Sequence, residues 1–230
     1  MSTLINLVYM GDSITFGQYI EPSLRWTDII KSDLEKKFLS TDKHLNFLNC
    51  GVSGETTVMG LLRFARDVQE NKPNIMTLQF GLNDCNCWLT DKGLPRVSAS
   101  CFKANLMEMV TRAKHFGCQS IILVTNHVTL RDGLMLNGER YEDANARYSK
   151  IIRDVAKETQ VSLCDIRSIF EQFSKNELKE FLLAHPDLLH LSTKGHQVYA
   201  RAILPFIEKA IDEVLVMNKQ YCFKNEEKKE

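Results

Sequence analysis

Apolar runs and amphipathic stretches alternate along this chain. Five short runs, at 4–10, 45–50, 75–80, 119–124 and 161–164, are apolar nearly throughout or rich in β-branched residues. Their length and uniform hydrophobicity predict strands buried on both faces. Apolar positions recur at helical spacing over 24–39, 57–69, 98–116, 141–159 and 193–216, with Ser192 or Thr193 as N-cap of the last helix. Strands alternating with helices predict a parallel sheet covered on both sides. Right-handed crossovers narrow this to an α/β fold, a three-layer α/β/α doubly wound sandwich of about five strands. Trp26, Phe80 and Phe102 are expected in the core, as is the stripe Ile203, Phe206, Ile207, Ala210, Ile211 and Val214.

No Pro/Gly-rich linker or internal repeat interrupts the pattern, so residues 1–217 are expected to form one domain. From 218 to 230 charge replaces periodicity, and this tail is expected to be disordered.

Composition removes several classes of function. Of 230 residues, 44% are hydrophobic and 25% charged, enough for a sizeable core. Lys+Arg and Asp+Glu are both 29, and that balance argues against a nucleic-acid partner. No apolar run reaches the ~18 residues of a membrane span. The N-terminus has no basic leader or small-residue cleavage site, so a cytoplasmic location is expected. Seven cysteines at irregular spacing do not form a disulfide framework. Cys85 and Cys87 form a lone C-x-C with no second pair of ligands, which favours free thiols over a metal site. There is no G-x-G-x-x-G and no P-loop lysine for a nucleotide. No cofactor or metal is expected, and the sequence carries no signal of oligomeric state.

The first apolar run leads directly into Gly11-Asp12-Ser13-Ile14-Thr15-Phe16-Gly17. A serine at the end of a buried strand is either a helix N-cap or a nucleophile facing a cleft. A nucleophilic serine needs a base. Among six histidines, His190 alone has a carboxylate three residues earlier, Asp187, which can reach Nδ1 across a turn and leave Nε2 for the serine proton. His44 and His115 lie near element ends and read as surface residues, whereas His127 follows the fourth strand and is a candidate substrate contact.

Acyl transfer also needs donors for a developing oxyanion. Gly54, after the second strand, offers an unobstructed backbone N–H, and Asn83, after the third, offers a neutral side-chain amide. Ser13 N–H would be a third donor. In a doubly wound sheet the ends of strands one, two and three lie side by side, so these segments can converge. Each residue also has a plain reading: Gly54 and Gly81 as turn glycines, Asn83 as an Asx-turn residue, Asp84 as a solvated loop acid and Asp187 as a turn cap. Asp12 is expected to order the serine turn through backbone N–H groups and to take no chemical step.

Four segments together resemble the SGNH hydrolases, the GDSL family of esterases and lipases. Gly11-Asp12-Ser13-Ile14-Thr15 resembles the first block, with Ile14 where the family's older name has leucine. Gly51-Val52-Ser53-Gly54, Gly81-Leu82-Asn83-Asp84 and Asp187-Leu188-Leu189-His190 resemble the other three, in the family's order. The resemblance implies Ser13 as nucleophile, His190 as base and Asp187 as its partner, with Ser13, Gly54 and Asn83 as the oxyanion hole. The G-x-S-x-G elbow of α/β-hydrolases is absent, since Thr15 stands where its second glycine would be.

The expected partner is a small-molecule ester, such as a carbohydrate O-acetyl or other short-chain acyl ester. Acyl-thioesterase and lysophospholipase are the family's alternatives. The loops 84–96 and 125–140 mix charge with apolar residues and form no apolar lid, and Trp88 in the first is a candidate substrate contact. A non-catalytic ligand-binding module on a flavodoxin-like scaffold is the alternative of another class.

Overall fold

The computed structural model describes the chain from Thr3 to Glu226, with side chains from Leu4 to Asn218. Five strands, β1 (Thr3–Gly11), β2 (Lys43–Gly51), β3 (Ile75–Gln79), β4 (Ser120–Val124) and β5 (Ser162–Cys164), form one sheet. Their order is β2-β1-β3-β4-β5 and every pairing is parallel. This is the doubly wound arrangement expected from the alternation. The central strands β3 and β4 are buried at every position, whereas burial along β2 alternates, as an edge strand allows.

The main helices are α2 (Trp26–Phe38), α3 (Thr57–Phe64), α4 (Ala99–His115), α5 (Tyr141–Thr159) and α8 (Thr193–Glu226), and three short ones are α1 (Ser13–Phe16), α6 (Ile166–Phe170) and α7 (Lys175–Phe181). α2 packs against α8, while α4 packs between α3 and α5. Right-handed crossovers from β1 leftward to β2, and rightward through β3, β4 and β5, put these two groups on opposite faces. Beyond α3, Ala65–Gln69 continues as a wider turn with Glu70 N–H bonded to Ala65 O at 3.0 Å.

Two features differ from the sequence expectation. α1, α6 and α7 span at most seven residues, too few for a 3.6-residue period to emerge; their caps, Asp12, Asp165 and Ser174, are what mark them. The last helix, expected to stop near 216, runs to Glu226, so the backbone of residues 218–226 is helical rather than an irregular tail. The final four residues lie outside the described chain. In the predicted stripe, Ile203, Ile207, Ala210, Ile211 and Val214 are buried and Phe206 is half-buried. Trp26, Phe80 and Phe102 are buried as expected.

One register decides where chemistry can occur. Gly11 lies opposite Gly51 of β2 on one side and Gln79 of β3 on the other. The three strands therefore end level, and Ser13, Gly54 and Asn83 leave from the same edge.

Candidate active site

Ser13 is the first residue of α1, held by two local devices. The Asp12 carboxylate accepts the Ile14 N–H at 2.9 Å, and the Trp26 indole donates to Ile14 O at 2.9 Å. The turn is crowded as well. A Cβ on Gly11 would meet Thr15 Oγ1 at 2.1 Å, and one on Gly51 would meet Phe16 N at 2.2 Å, so only glycine lets the turn sit against both strand ends.

Ser13 Oγ lies 2.9 Å from His190 Nε2, and His190 Nδ1 lies 2.7 Å from Asp187 Oδ2. A carboxylate can only accept, so Nδ1 carries the proton and Nε2 presents its lone pair to the serine hydroxyl. The second Asp187 oxygen accepts the N–H groups of Leu189 at 2.9 Å and His190 at 2.6 Å. Burial pushes the Asp187 carboxyl up, but these hydrogen bonds outweigh it and hold it below the usual carboxylate value.

The segment bearing Asp187 and His190 has no regular structure, yet four consecutive carbonyls are each held by a separate donor. Arg131 Nε binds Asp187 O at 3.1 Å, and Leu130 N–H binds Leu188 O at 2.9 Å. His127 Nε2 binds Leu189 O at 2.8 Å, and Leu183 N–H binds His190 O at 2.8 Å. Three of the four donors come from the loop after β4. Leu188 sits at φ +58°, a left-handed conformation that costs a non-glycine roughly 1–2 kcal/mol and is held here by those contacts.

Beside Ser13 Oγ opens a cavity of about 260 Å³, lined by Gly54, Asn83, Asn86, Arg131 and His190 among others. Gly54 has φ +78°, nothing stands within 4 Å of where its Cβ would be, and its N–H has no partner among the described residues. The Asn83 amide donates one N–H to Glu55 O at 3.0 Å, which orients the group and leaves its second N–H unused. Ser13 N–H lies in the first helical turn, where N–H groups have no intrahelical partner.

Buried charges brace the floor of the site. Arg63 binds the carboxylates of Glu55 at 2.5 Å and Asp67 at 2.6 Å, and the carbonyls of Cys50 at 2.7 Å and Gly11 at 3.0 Å. It thus ties the ends of β1 and β2 together beneath the Gly54 turn. Asp84, read in sequence as a solvated loop acid, is fully buried instead and accepts Thr57 N–H at 2.9 Å and Thr57 Oγ1–H at 2.5 Å. Burial pushes its carboxyl up to about 6, against the opposing Thr57 bonds.

A family model described as GDSL-like Lipase/Acylhydrolase matches residues 9–198, a span that includes every residue of this site. The chain belongs to the GDSL-like lipase/acylhydrolase family. The GDSL-like members and the named esterases among its relatives are ester-bond hydrolases. It is 27% identical to an uncharacterized lipoprotein, YqeF, of Bacillus subtilis over 86% of this chain and 87% of that one. It is also 27% identical to an acetylxylan esterase of Geobacillus stearothermophilus, covering 70% of this chain and 71% of the other. Among solved structures, a lipase/acylhydrolase from Enterococcus faecalis superposes with a TM-score of 0.72 at 26% identity, covering 89% of this chain and 96% of that one. Among the described residues no helix is long and apolar enough to cross a membrane.

Within this GDSL-like site, two expected substrate contacts stand elsewhere. His127 is 1% exposed and does not line the cavity. With Nε2–H committed to Leu189 O, its Nδ1 is left without a partner among the described residues, and burial lowers its pKa to about 4. It supports the loop that carries His190. Trp88 is half-exposed and outside the cavity lining; the Arg96 guanidinium stacks 3.8 Å above its ring and donates to Gly54 O at 2.9 Å. The thiols of Cys85 and Cys87 diverge, one towards Leu82 O and the other towards Gly93 O. The 125–140 loop is recognisable in the sequence, but nothing there marks Arg131 as a wall of the cavity. An arginine in a mixed loop carries no local mark of where its side chain goes.

Proposed function

We propose that this GDSL-like chain is a serine esterase acting through an acyl-enzyme. The observation that carries the reading is the unbroken relay from Ser13 Oγ to His190 to Asp187, at 2.9 and 2.7 Å. Ser13 Oγ attacks the ester carbonyl carbon while its proton passes to His190 Nε2. The carbonyl oxygen takes the displaced electron pair and is held by the N–H groups of Ser13, Gly54 and the Asn83 amide. Collapse expels the alkoxide, which takes the proton from His190. Water then repeats the sequence on the acyl-enzyme and releases the acid. Asp187 fixes the tautomer and stabilises the imidazolium.

The substrate is a short acyl group on a polar alcohol, such as an O-acetyl group on a carbohydrate. The cavity of about 260 Å³ lies below the ~300 Å³ at which drug-sized ligand pockets begin. Several of its walls are amides and hydroxyls, and one relative is named as an acetylxylan esterase. A fluorophosphonate probe should label the protein, and Ser13→Ala should abolish both labelling and turnover of a short-chain ester. Absence of labelling would favour a non-catalytic binding module on the same scaffold. Profiling from acetate to long-chain esters and thioesters tests the acyl preference, and a maximum at long chains would remove the short-acyl reading.

A further inference from the structure

We infer that Arg131 is a specificity-determining cation, and that the preferred ester carries an anionic oxygen group near the scissile bond. The inference rests on the esterase reading above and narrows its substrate class. Arg131 is half-buried in the wall of the Ser13 cavity. Among the described residues it makes no ion pair, and its one hydrogen bond runs from Nε to the Asp187 carbonyl. That bond anchors the guanidinium through its stem-side nitrogen. Both terminal nitrogens, four N–H donors in a planar fork, are left without a protein acceptor.

Among the described residues no carboxylate lines this cavity, and Arg131 is the one permanent charge in its lining. The Asp187 carboxylate forms no ion pair with it. That group is filled by the His190 ring and two backbone N–H groups, and Arg131 meets the carbonyl of the same residue instead. Asn86 stands in the same lining, and its side chain has no hydrogen-bond partner among the described residues. A guanidinium and a free amide facing a small cavity match a carboxylate or phosphate oxygen on the substrate. Charge-assisted bonds of this kind are about twice as strong as neutral ones.

Two matched substrate pairs test the inference. In one, the anion sits on the alcohol side: para-carboxyphenyl acetate against para-carbamoylphenyl acetate. In the other it sits on the acyl side: phenyl monoadipate against its half-amide. In at least one pair the anionic ester should be preferred in kcat/KM by about tenfold or more. Whichever pair shows the preference places the anion on that side of the ester. The preference should shrink from low to high salt, a readout that needs no variant. Arg131→Gln should bring the ratio towards one, and Arg131→Lys should keep much of it. If Arg131 merely positioned Asp187, Arg131→Gln would slow both esters of a pair alike and leave the ratio unchanged. Such an unchanged ratio, or a wild-type ratio near one in both pairs while the neutral esters turn over, overturns the inference alone. If no ester turns over in a Ser13-dependent way, the esterase reading fails and this inference fails with it.

Discussion

Asp187 grips His190 at two points: Oδ1 accepts its backbone N–H at 2.6 Å, and Oδ2 meets ring Nδ1 at 2.7 Å. The two contacts are not equally replaceable. The backbone of His190 is also held through its carbonyl by Leu183 N–H at 2.8 Å, while the ring has no other donor or acceptor fixing Nδ1 among the described residues.

Loss of the base should still cost more than loss of its partner, because only His190 Nε2 can take the Ser13 proton. We expect His190→Ala to lower kcat by about 10²–10⁴-fold, the usual contribution of general base catalysis. Asp187→Ala should cost less, because the anchored loop still presents the ring to Ser13. Steady-state rates on a short-chain ester decide the order, and a larger loss in Asp187→Ala would show that the carboxylate does more than orient.

Asn83 offers one unused amide N–H to the cavity while the other is fixed on Glu55 O. Asn83→Ala should lower kcat by about 10²–10³-fold, the cost of losing one oxyanion donor. The fold should survive, because the adjacent Asp84–Thr57 bonds are untouched. An effect below about tenfold would take Asn83 out of the oxyanion hole.

Asp12 links the serine turn to stability through pH. Burial, opposed by the Ile14 N–H and reinforced by the charge of Asp84, pushes its carboxyl up to about 7. An unfolded aspartate titrates at about 3.9, so between these values the native state keeps a proton that the unfolded state has released. The contribution is fully present below about pH 4 and is lost as pH rises through about 7. Asp12→Asn is neutral throughout. Urea midpoints at about pH 5 and about pH 8 should fall more in the wild type than in the variant. Equal falls would mean that Asp12 does not carry this linkage.

Arg63 is 8% exposed and holds two carboxylates that are each 14% exposed. Arg63→Met would leave the buried Glu55 without its cation and Asp67 with only the exposed Arg66. Breaking one side of a buried ion pair costs about 3–5 kcal/mol, so chemical denaturation should show a loss of that size. A loss under about 1 kcal/mol would mean that water reaches those carboxylates once the arginine is gone.

The sequence by itself determined the strand and helix alternation and the parallel sheet, and it marked four segments whose residues line one cavity in the fold. These depend on local periodicity, on small residues at strand ends, and on a carboxylate three residues before a histidine. Ser13, Gly54, Asn83 and His190 each have a plain turn or cap reading alone; what makes them legible together is that four such segments follow one another in order at strand ends and loops, and the fold brings all four residues to one cavity. The tertiary structure alone decided the fates of His127, Trp88, Asp84 and Arg131. Nothing near His127 in the chain distinguishes a cleft-lining histidine from one buried under the His190 loop. The same holds for Asp84, whose burial comes from Thr57 across 27 positions of sequence. Arg131 became a wall of the cavity only because Leu130 and Arg131 pair with the backbone at 187–188. Period and residue type are written along the chain, but the partner of a buried or cavity-lining polar group is chosen by residues far away in sequence, and only the folded packing brings them together.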